Sequence, residues 1–272
     1  MDNRPIGLFD SGVGGLSAVR VLQQAAPTES ICYFGDTARV PYGDRAPEDI
    51  RNLSRQDARF LRSRNVKAIV IACNTITANA LEELTADSPG IPVIGVIQPA
   101  AEEAARISPS GRIGIIATNA TVNSGVYTAA IESLRPDAVV TAQGCPKLVP
   151  LIETGHTAPT DELLMPVLRE YLAPLMAAEV DTVILGCTHY PLISKAAASI
   201  LGENVALVDS GAACIGAVTA ALRERDTLAA PDNAKTEDFF CSARIDDFTA
   251  VAQAFLGTDI RPLTREINIE AY

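Results

Sequence analysis

The chain has 272 residues, enough for one large domain or two of moderate size. Hydrophobic residues make up 48% of it, which allows a packed core and argues against global disorder. The formal net charge is −11, and the lysines are only Lys67, Lys147, Lys195 and Lys235, so nucleic acid is excluded as the main partner because phosphate binding needs clustered cations.

The N-terminal residues lack the basic region and apolar run of a signal peptide, and no apolar stretch reaches the roughly 18 residues of a membrane span. A cytoplasmic protein without a membrane partner is expected. The cysteines are Cys32, Cys73, Cys145, Cys187, Cys214 and Cys241. In a long chain without an export signal, free thiols are the better reading than disulfides. No CxxC pair occurs, and His156 and His189 lack metal-ligand spacing, so no metal is expected.

In chain order, strands are predicted at Pro5–Asp10, Ser30–Asp36, Lys67–Cys73, Ile91–Ile97, Gly111–Thr118, Ala138–Gln143, Asp181–Cys187 and Asn204–Ser210. Helical patterns lie between them, as at Arg51–Asn65 and Asp161–Ala178. Strands without polar alternation are buried on both faces, which predicts mostly parallel sheets flanked by helices. Four anchors then recur in the same order at nearly constant offset. Ile6–Gly15 resembles Ile113–Gly125, the Val-Pro of Arg39–Gly43 recurs in Leu148–Glu153, Ile69–Thr75 resembles Val183–His189, and Val93–Gln98 loosely resembles Val205–Ser210. The repetition predicts an α/β protein of two pseudo-symmetric domains with a cleft between them. The expected division is residues 1–98 with 210–272, and 99–209, the boundary falling near Gln98-Pro99 and the tail returning to the first half. Within the tail, Thr227–Lys235 reads as an exposed loop.

Ligands of parallel α/β sheets bind beyond the carboxyl ends of the strands. The anchors put Asp10-Ser11, Tyr42-Gly43, Cys73-Asn74-Thr75, Thr118, Glu153 and Cys187-Thr188-His189 there. If the halves face each other, Cys73 and Cys187 meet across a cleft. Two like groups on opposite sides of one substrate suit racemisation, in which one base removes an α-proton and its protonated partner delivers one to the other face. A thiol, with an ordinary pKa near 8.5, can serve in either state. Thiolate character is favoured where a helix follows directly, as it does after Cys73. Asp10, Glu153 and His189 are candidates to orient or relay protons, and Ser11, Asn74, Thr75, Thr118 and Thr188 can bind a carboxylate without arginine. The glycines of Asp10–Gly15 allow close backbone approach to a ligand.

Plainer readings compete. A single cysteine after an apolar run is most often a small buried residue, and Cys32, Cys145, Cys214 and Cys241 are read that way. Asp10 can cap a helix, Glu153 can be merely solvated, and His189 can be a satisfied polar group. The Asp10–Gly15 turn is not GxGxxG, so no dinucleotide site is predicted.

The blocks "GLFDSGVGGLS", "YFGDTARVPYG", "IACNTITANAL", "IGIIATNATV", "VPLIETG" and "LGCTHYPL" resemble the glutamate racemases of the cofactor-independent aspartate/glutamate racemase superfamily, over roughly residues 4–211. The resemblance implies interconversion of L- and D-glutamate without a cofactor, supply of D-glutamate for peptidoglycan, and a homodimer. It makes Cys73 and Cys187 the acid/base pair, Asp10 and His189 their helpers, and Glu153 a cleft residue. Asp10, Ser11, Tyr42, Gly43, Asn74, Thr75, Thr188 and His189 become substrate contacts. Ala117, where the family commonly has Gly, and Lys147, where an apolar residue is usual, depart from the pattern. The alternatives are an aspartate or hydantoin racemase, a hydrolase or acyl transferase built on Cys187 and His189, and a thiol redox or metal module. A pyridoxal-phosphate racemase is disfavoured because no lysine sits at a strand-end motif.

Overall fold

The computed structural model describes residues 1–272. The chain alternates strand and helix: β1 (Ile6–Asp10), α1 (Leu16–Ala25), β2 (Ile31–Gly35), α2 (Pro47–Ser63), β3 (Ala68–Ile71), α3 (Asn74–Ala86), β4 (Val93–Gly95) and α4 (Ile97–Ile107). It continues with β5 (Arg112–Ala117), α5 (Asn119–Asn123), α6 (Val126–Leu134), β6 (Val139–Gly144), α7 (Leu148–Glu153), α8 (Leu164–Ala177), β7 (Thr182–Gly186), α9 (Ser194–Leu201) and β8 (Ala206–Asp209). The tail adds α10 (Ser210–Glu224), β9 (Glu237–Cys241), α11 (Ile245–Leu256) and β10 (Thr264–Glu266).

The strands form two parallel sheets. The first has the order β10-β9-β2-β1-β3-β4, the second β6-β5-β7-β8. The four strands of the second sheet repeat the order of β2-β1-β3-β4 in the first, so the sequence repeat is a repeat of topology. The central strands β1, β3 and β7 are buried at every position, which is why they read as unbroken apolar runs. The tail returns to the first sheet, where β9 pairs in parallel with β2 and β10 with β9.

Three cores hold these layers. One lies outside the first sheet, where α2 and α3 cover Phe9, Ile69 and Ile71. A second lies outside the other sheet, where α8 and α9 cover Val183 and Leu185. The third and largest joins the halves, packing Leu8 and Val70 of the first sheet and Ile115 and Ile184 of the second around α1, α4 and α10. Each fully buried Leu or Ile there contributes on the order of 1.5–3 kcal/mol. Local signals are consistent with the packing. Helix α2 opens on Pro47 with Glu48 and Asp49 in its first turn, and it buries Ile50, Ser54, Asp57 and Leu61 along one stripe.

Several expectations change in detail. The fourth strand is shorter than predicted and ends at Gly95. Ile97 opens α4, and Pro99 stands in its first turn, where the missing N–H has no intrahelical partner to lose. The expected boundary at Gln98-Pro99 therefore falls inside a helix. The Val-Pro anchors match in place but not in conformation, being a loop at Val40-Pro41 and helix α7 at Val149-Pro150. Segment Thr227–Lys235 has no helix or strand, yet it is fastened rather than free: the Ala229 N–H donates to Glu29 Oε1 and Asn233 Nδ2 to the Thr28 carbonyl. All six cysteines are buried and unpaired. No helix is long and apolar enough to cross a membrane.

Candidate active site

The carboxyl ends of both sheets open onto one cavity of about 300 Å³. Its wall includes Ser11, Tyr42, Gly43, Cys73, Asn74, Thr75, Thr118, Glu153, Cys187, Thr188 and His189. Of the residues singled out from the sequence, only Asp10 is missing from that wall. It carries no Lys or Arg, and its ionisable groups besides the thiols and the Tyr42 phenol are Asp44, Glu153 and His189.

Cys73 arrives from the end of β3 and is the N-cap residue of α3, as the strand–Cys–helix pattern predicts. Its sulfur lies 3.6 Å from Ser11 Oγ. Burial and then the charge of Asp10 push its thiol up to about 12, against the opposing pull of the Ile76 N–H and Ser11. Cys187 arrives from the end of β7, with its sulfur 3.8 Å from His189 Nδ1. His189 Nε2 is 2.9 Å from Glu153 Oε1 at the end of α7. Burial alone would lower the His189 pKa, but hydrogen bonds to Cys187 and Glu153 outweigh it and raise the value to about 10. The Glu153 carboxyl is held below its ordinary value, the hydrogen bond from His189 outweighing burial. Phe255 of α11 stands edge-on to the imidazole at 5.7 Å and closes its outer side. One thiol thus has a hydroxyl beside it and the other a cation.

Asp10 is 1% exposed and stands behind the wall. It does not cap α1, whose first turn follows Gly15 without a side-chain cap. Instead its carboxylate accepts from the Gly12 N–H at 3.0 Å and, more weakly, from Thr188 Oγ1 at 3.4 Å. It therefore shapes the Asp10–Gly15 turn and reaches across to the other half. Tyr42 lines the cavity, but its hydroxyl is turned into a buried network and donates to Asp36. Thr118 caps α5, and its hydroxyl lies 3.0 Å from that of Thr75 and 2.9 Å from that of Thr121, a ring of three hydroxyls spanning the halves.

The wall also holds residues not assigned to the site from the sequence, among them Cys145, Pro146, Val149, Pro150 and Asn119. Val149 and Pro150 belong to the repeated Val-Pro anchor, which was the available signal; Asn119 stood inside a motif block without a role. Of the two departures from the family pattern, Ala117 is buried at the end of β5, while Lys147 is exposed just before α7 and does not line the cavity.

Fold and cavity together define a duplicated α/β protein in which the third strand of each repeat, β3 or β7, leads to a cysteine that lines a shared cavity. Residues 14–218 match the family model described as Asp/Glu/Hydantoin racemase. A glutamate racemase of Streptococcus equi subsp. equi is 42% identical over 261 residues, covering 96% of this chain and 97% of that protein. The crystal structure of glutamate racemase from Francisella tularensis in complex with D-glutamate superposes with a TM-score of 0.93 at 35% identity, covering 100% of both chains. That from Thermus thermophilus in complex with β-chloro-D-alanine gives 0.89 at 37%, again covering 100% of both. The chain belongs to the Asp/Glu/Hydantoin racemase family.

Proposed function

We propose that this protein is a glutamate racemase, interconverting L- and D-glutamate by proton transfer at Cα between Cys73 and Cys187. The observation that carries the reading is the arrival of one cysteine from each half at equivalent strand ends on a single cavity wall. In this reading Cys73, whose thiol is pushed up to about 12, is the proton-bearing partner at rest. The Cys187 side takes the α-proton, with His189 as the neighbouring cation and Glu153 holding His189 in place. The product of one direction is the starting state of the other, with the proton on the opposite sulfur. Hydroxyls of Ser11, Thr75, Thr118 and Thr188, the amide of Asn74 and the free N–H groups at the start of α3 bind the substrate carboxylates. A cofactor-free homodimer, working in the cytoplasm to supply D-glutamate for peptidoglycan, completes the proposal. The division into 1–98 with 210–272 and 99–209 belongs to it too, with α4 and α10 as the crossing helices.

The test is circular dichroism of L-glutamate incubated with purified protein in D₂O without added cofactor. Decay to zero with deuterium at Cα is expected. Stable L-glutamate with decaying L-aspartate would keep the chemistry and change the substrate. A stable signal for both would overturn the reading.

A second reading is favoured by one observation, the line Cys187–His189–Glu153, which also suits a thiol hydrolase. Such an enzyme has no use for Cys73, and the Cys73→Ser variant separates the two.

Two further results are expected. The first concerns Glu153→Gln. With a folded-state value near 10 against an ordinary 6.5, His189 contributes stability that is fully present below about pH 6.5 and lost as pH rises through about 10. Activity that needs the imidazolium should therefore fall at alkaline pH. Removing the Glu153 charge should move that fall down by about one pH unit, the half-exposed carboxylate being partly screened. An unchanged alkaline limb in the kcat/KM profile would remove Glu153 from this role. The second concerns Gly14→Ala. A Cβ there would fall 2.5 Å from His189 Nδ1 and closer still to the Thr188 hydroxyl. Displacing both groups should lower kcat by about 100-fold while the far-ultraviolet spectrum is retained; wild-type kcat would show that the site tolerates the shift.

A further inference from the structure

Asn74 follows Cys73 directly and lines the cavity, yet its side chain is held mainly by two residues to which the sequence assigned no role in the site. Its Oδ1 accepts from the Tyr127 hydroxyl of α6 at 2.6 Å, and its Nδ2 donates to Ser210 Oγ of α10 at 3.3 Å. Ser210 Oγ in turn donates to the Leu185 carbonyl of β7 at 3.0 Å. The three side chains are each no more than 2% exposed.

The direction of this chain is fixed by proton count. A serine hydroxyl has one proton, and that of Ser210 is committed to Leu185, so Ser210 can only accept from Asn74. A flipped amide would set its oxygen against the oxygen of Ser210 and its nitrogen against the phenol proton. Burial raises the pKa of Tyr127 well above its ordinary value and keeps it a donor. Two contacts therefore choose one of two amide orientations of equal shape. That choice decides whether the group beside Cys73 meets a ligand with an N–H or with a carbonyl oxygen. For an anionic ligand in a cavity without Lys or Arg, the difference is between attraction and repulsion.

We propose that Tyr127 and Ser210 are positioning residues that lock the Asn74 amide with one N–H left free for a substrate carboxylate. The chain also links the halves, because the peptide two residues before Cys187 sets the orientation of the amide next to Cys73. Thr188 gives the mirror case, following Cys187 and reaching Asp10 in the first half. The proposal rests on the glutamate reading for the identity of the carboxylate.

The experiment is steady-state kinetics with L- and D-glutamate for Tyr127→Phe and Ser210→Ala, each in the wild-type and Asn74→Ala backgrounds, with melting temperatures alongside. In the wild-type background each should raise KM about tenfold and change kcat less, because a charge-assisted hydrogen bond is lost from binding. In the Asn74→Ala background neither should raise KM further, since both act through that amide. A residue supporting the fold alone would add its effect in both backgrounds, and that result would overturn the proposal. So would an unchanged KM for the folded variants. Should Tyr127→Phe fail to fold, Ser210→Ala carries the test alone. Wild-type protein that leaves glutamate untouched would overturn the functional reading, and this inference with it; normal wild-type turnover with unaffected variants would overturn this inference only.

Discussion

Serine at either Cys73 or Cys187 is expected to abolish interconversion of glutamate in both directions. Serine has the shape of cysteine but is somewhat smaller, so the substitution adds only a little space to the cavity and changes mainly acidity. A serine hydroxyl holds its proton far more tightly than a thiol does, even a thiol pushed up to about 12 as that of Cys73 is. Removing one positioned acid or base costs roughly 10²–10⁴-fold. The loss should appear for both enantiomers because a group that accepts the proton in one direction donates it in the other. Each single variant therefore breaks both half-paths. The variants differ in what survives. An intact cysteine on one face can still remove and return a proton on that face, so any residual deuterium uptake should occur without inversion. Cys73→Ser and Cys187→Ser should then exchange opposite enantiomers. Circular dichroism and proton NMR in D₂O read the two effects separately. Near-wild-type racemisation by Cys73→Ser would sink the two-thiol mechanism, because inversion would then need no thiol on the Cys73 face.

The repeat made the cysteines legible. β3 and β7 are buried runs of similar length whose ends must expose a small reactive group to a shared cavity, and both needs leave a trace in local sequence. The same holds for Ser11, Thr75, Thr118 and Thr188, which stand at strand ends or first helical turns. Legibility fell where function depends on a partner distant in sequence. Asp10 stands at a strand end yet serves the turn behind the wall, because the nearest free donors are the Gly12 N–H and a threonine from the other half. Tyr42 sits in a motif, but the buried carboxylates of Asp36 and Asp57 claim its hydroxyl. The roles of Tyr127 and Ser210 left no trace in local sequence, since they follow from hydrogen bonds that link α6 and α10 to the first residue of α3. Strands β9 and β10 escaped for another reason. The first opens on Glu237-Asp238 and the second spans only Thr264–Glu266, so neither carries the long apolar run that marks a central strand.

Replacing Arg39 by Met should destabilise the fold by about 3–5 kcal/mol at pH 8, a large part of the roughly 5–15 kcal/mol that holds a domain together. Arg39 Nε is 2.6 Å from Asp36 Oδ2, and Arg39 Nη2 is 2.8 Å from Asp57 Oδ1. Both carboxylates are fully buried, and the arginine itself is only 11% exposed. Its remaining nitrogen also bonds Gln56 and reaches Glu270 at 3.3 Å, which ties the C-terminal segment to α2. Methionine fills similar space but leaves two carboxylates without a cation, and desolvation makes that cost high. Lysine should rescue only part of the loss, because a single ammonium cannot match a planar fork that meets both acids. The deficit should depend on pH with a definite sign. Burial, and after it the charge of Asp36, pushes the Asp57 pKa well above the usual carboxylate value, and Arg39 pulls it back. A carboxyl with a raised folded-state pKa favours the fold at low pH and loses that contribution as pH rises through the raised value. Without Arg39 the value rises further, so the variant should recover part of its stability between pH 8 and pH 5.5. Urea unfolding at both pH values measures this through the midpoint at constant slope. Equal midpoints for wild type and variant at pH 8 would mean that the network contributes nothing net. The consequence for the site follows from position: Val40, Pro41, Tyr42, Gly43 and Asp44, which come next in the chain, all line the cavity without a helix or strand to hold them. Their placement depends on the Arg39 network at one end and, at the other, on the Gly43 carbonyl, which accepts from the Ala120 N–H at 3.2 Å across the halves. A folded Arg39→Lys enzyme should accordingly bind glutamate more weakly while the thiols, carried on β3 and β7, keep their geometry.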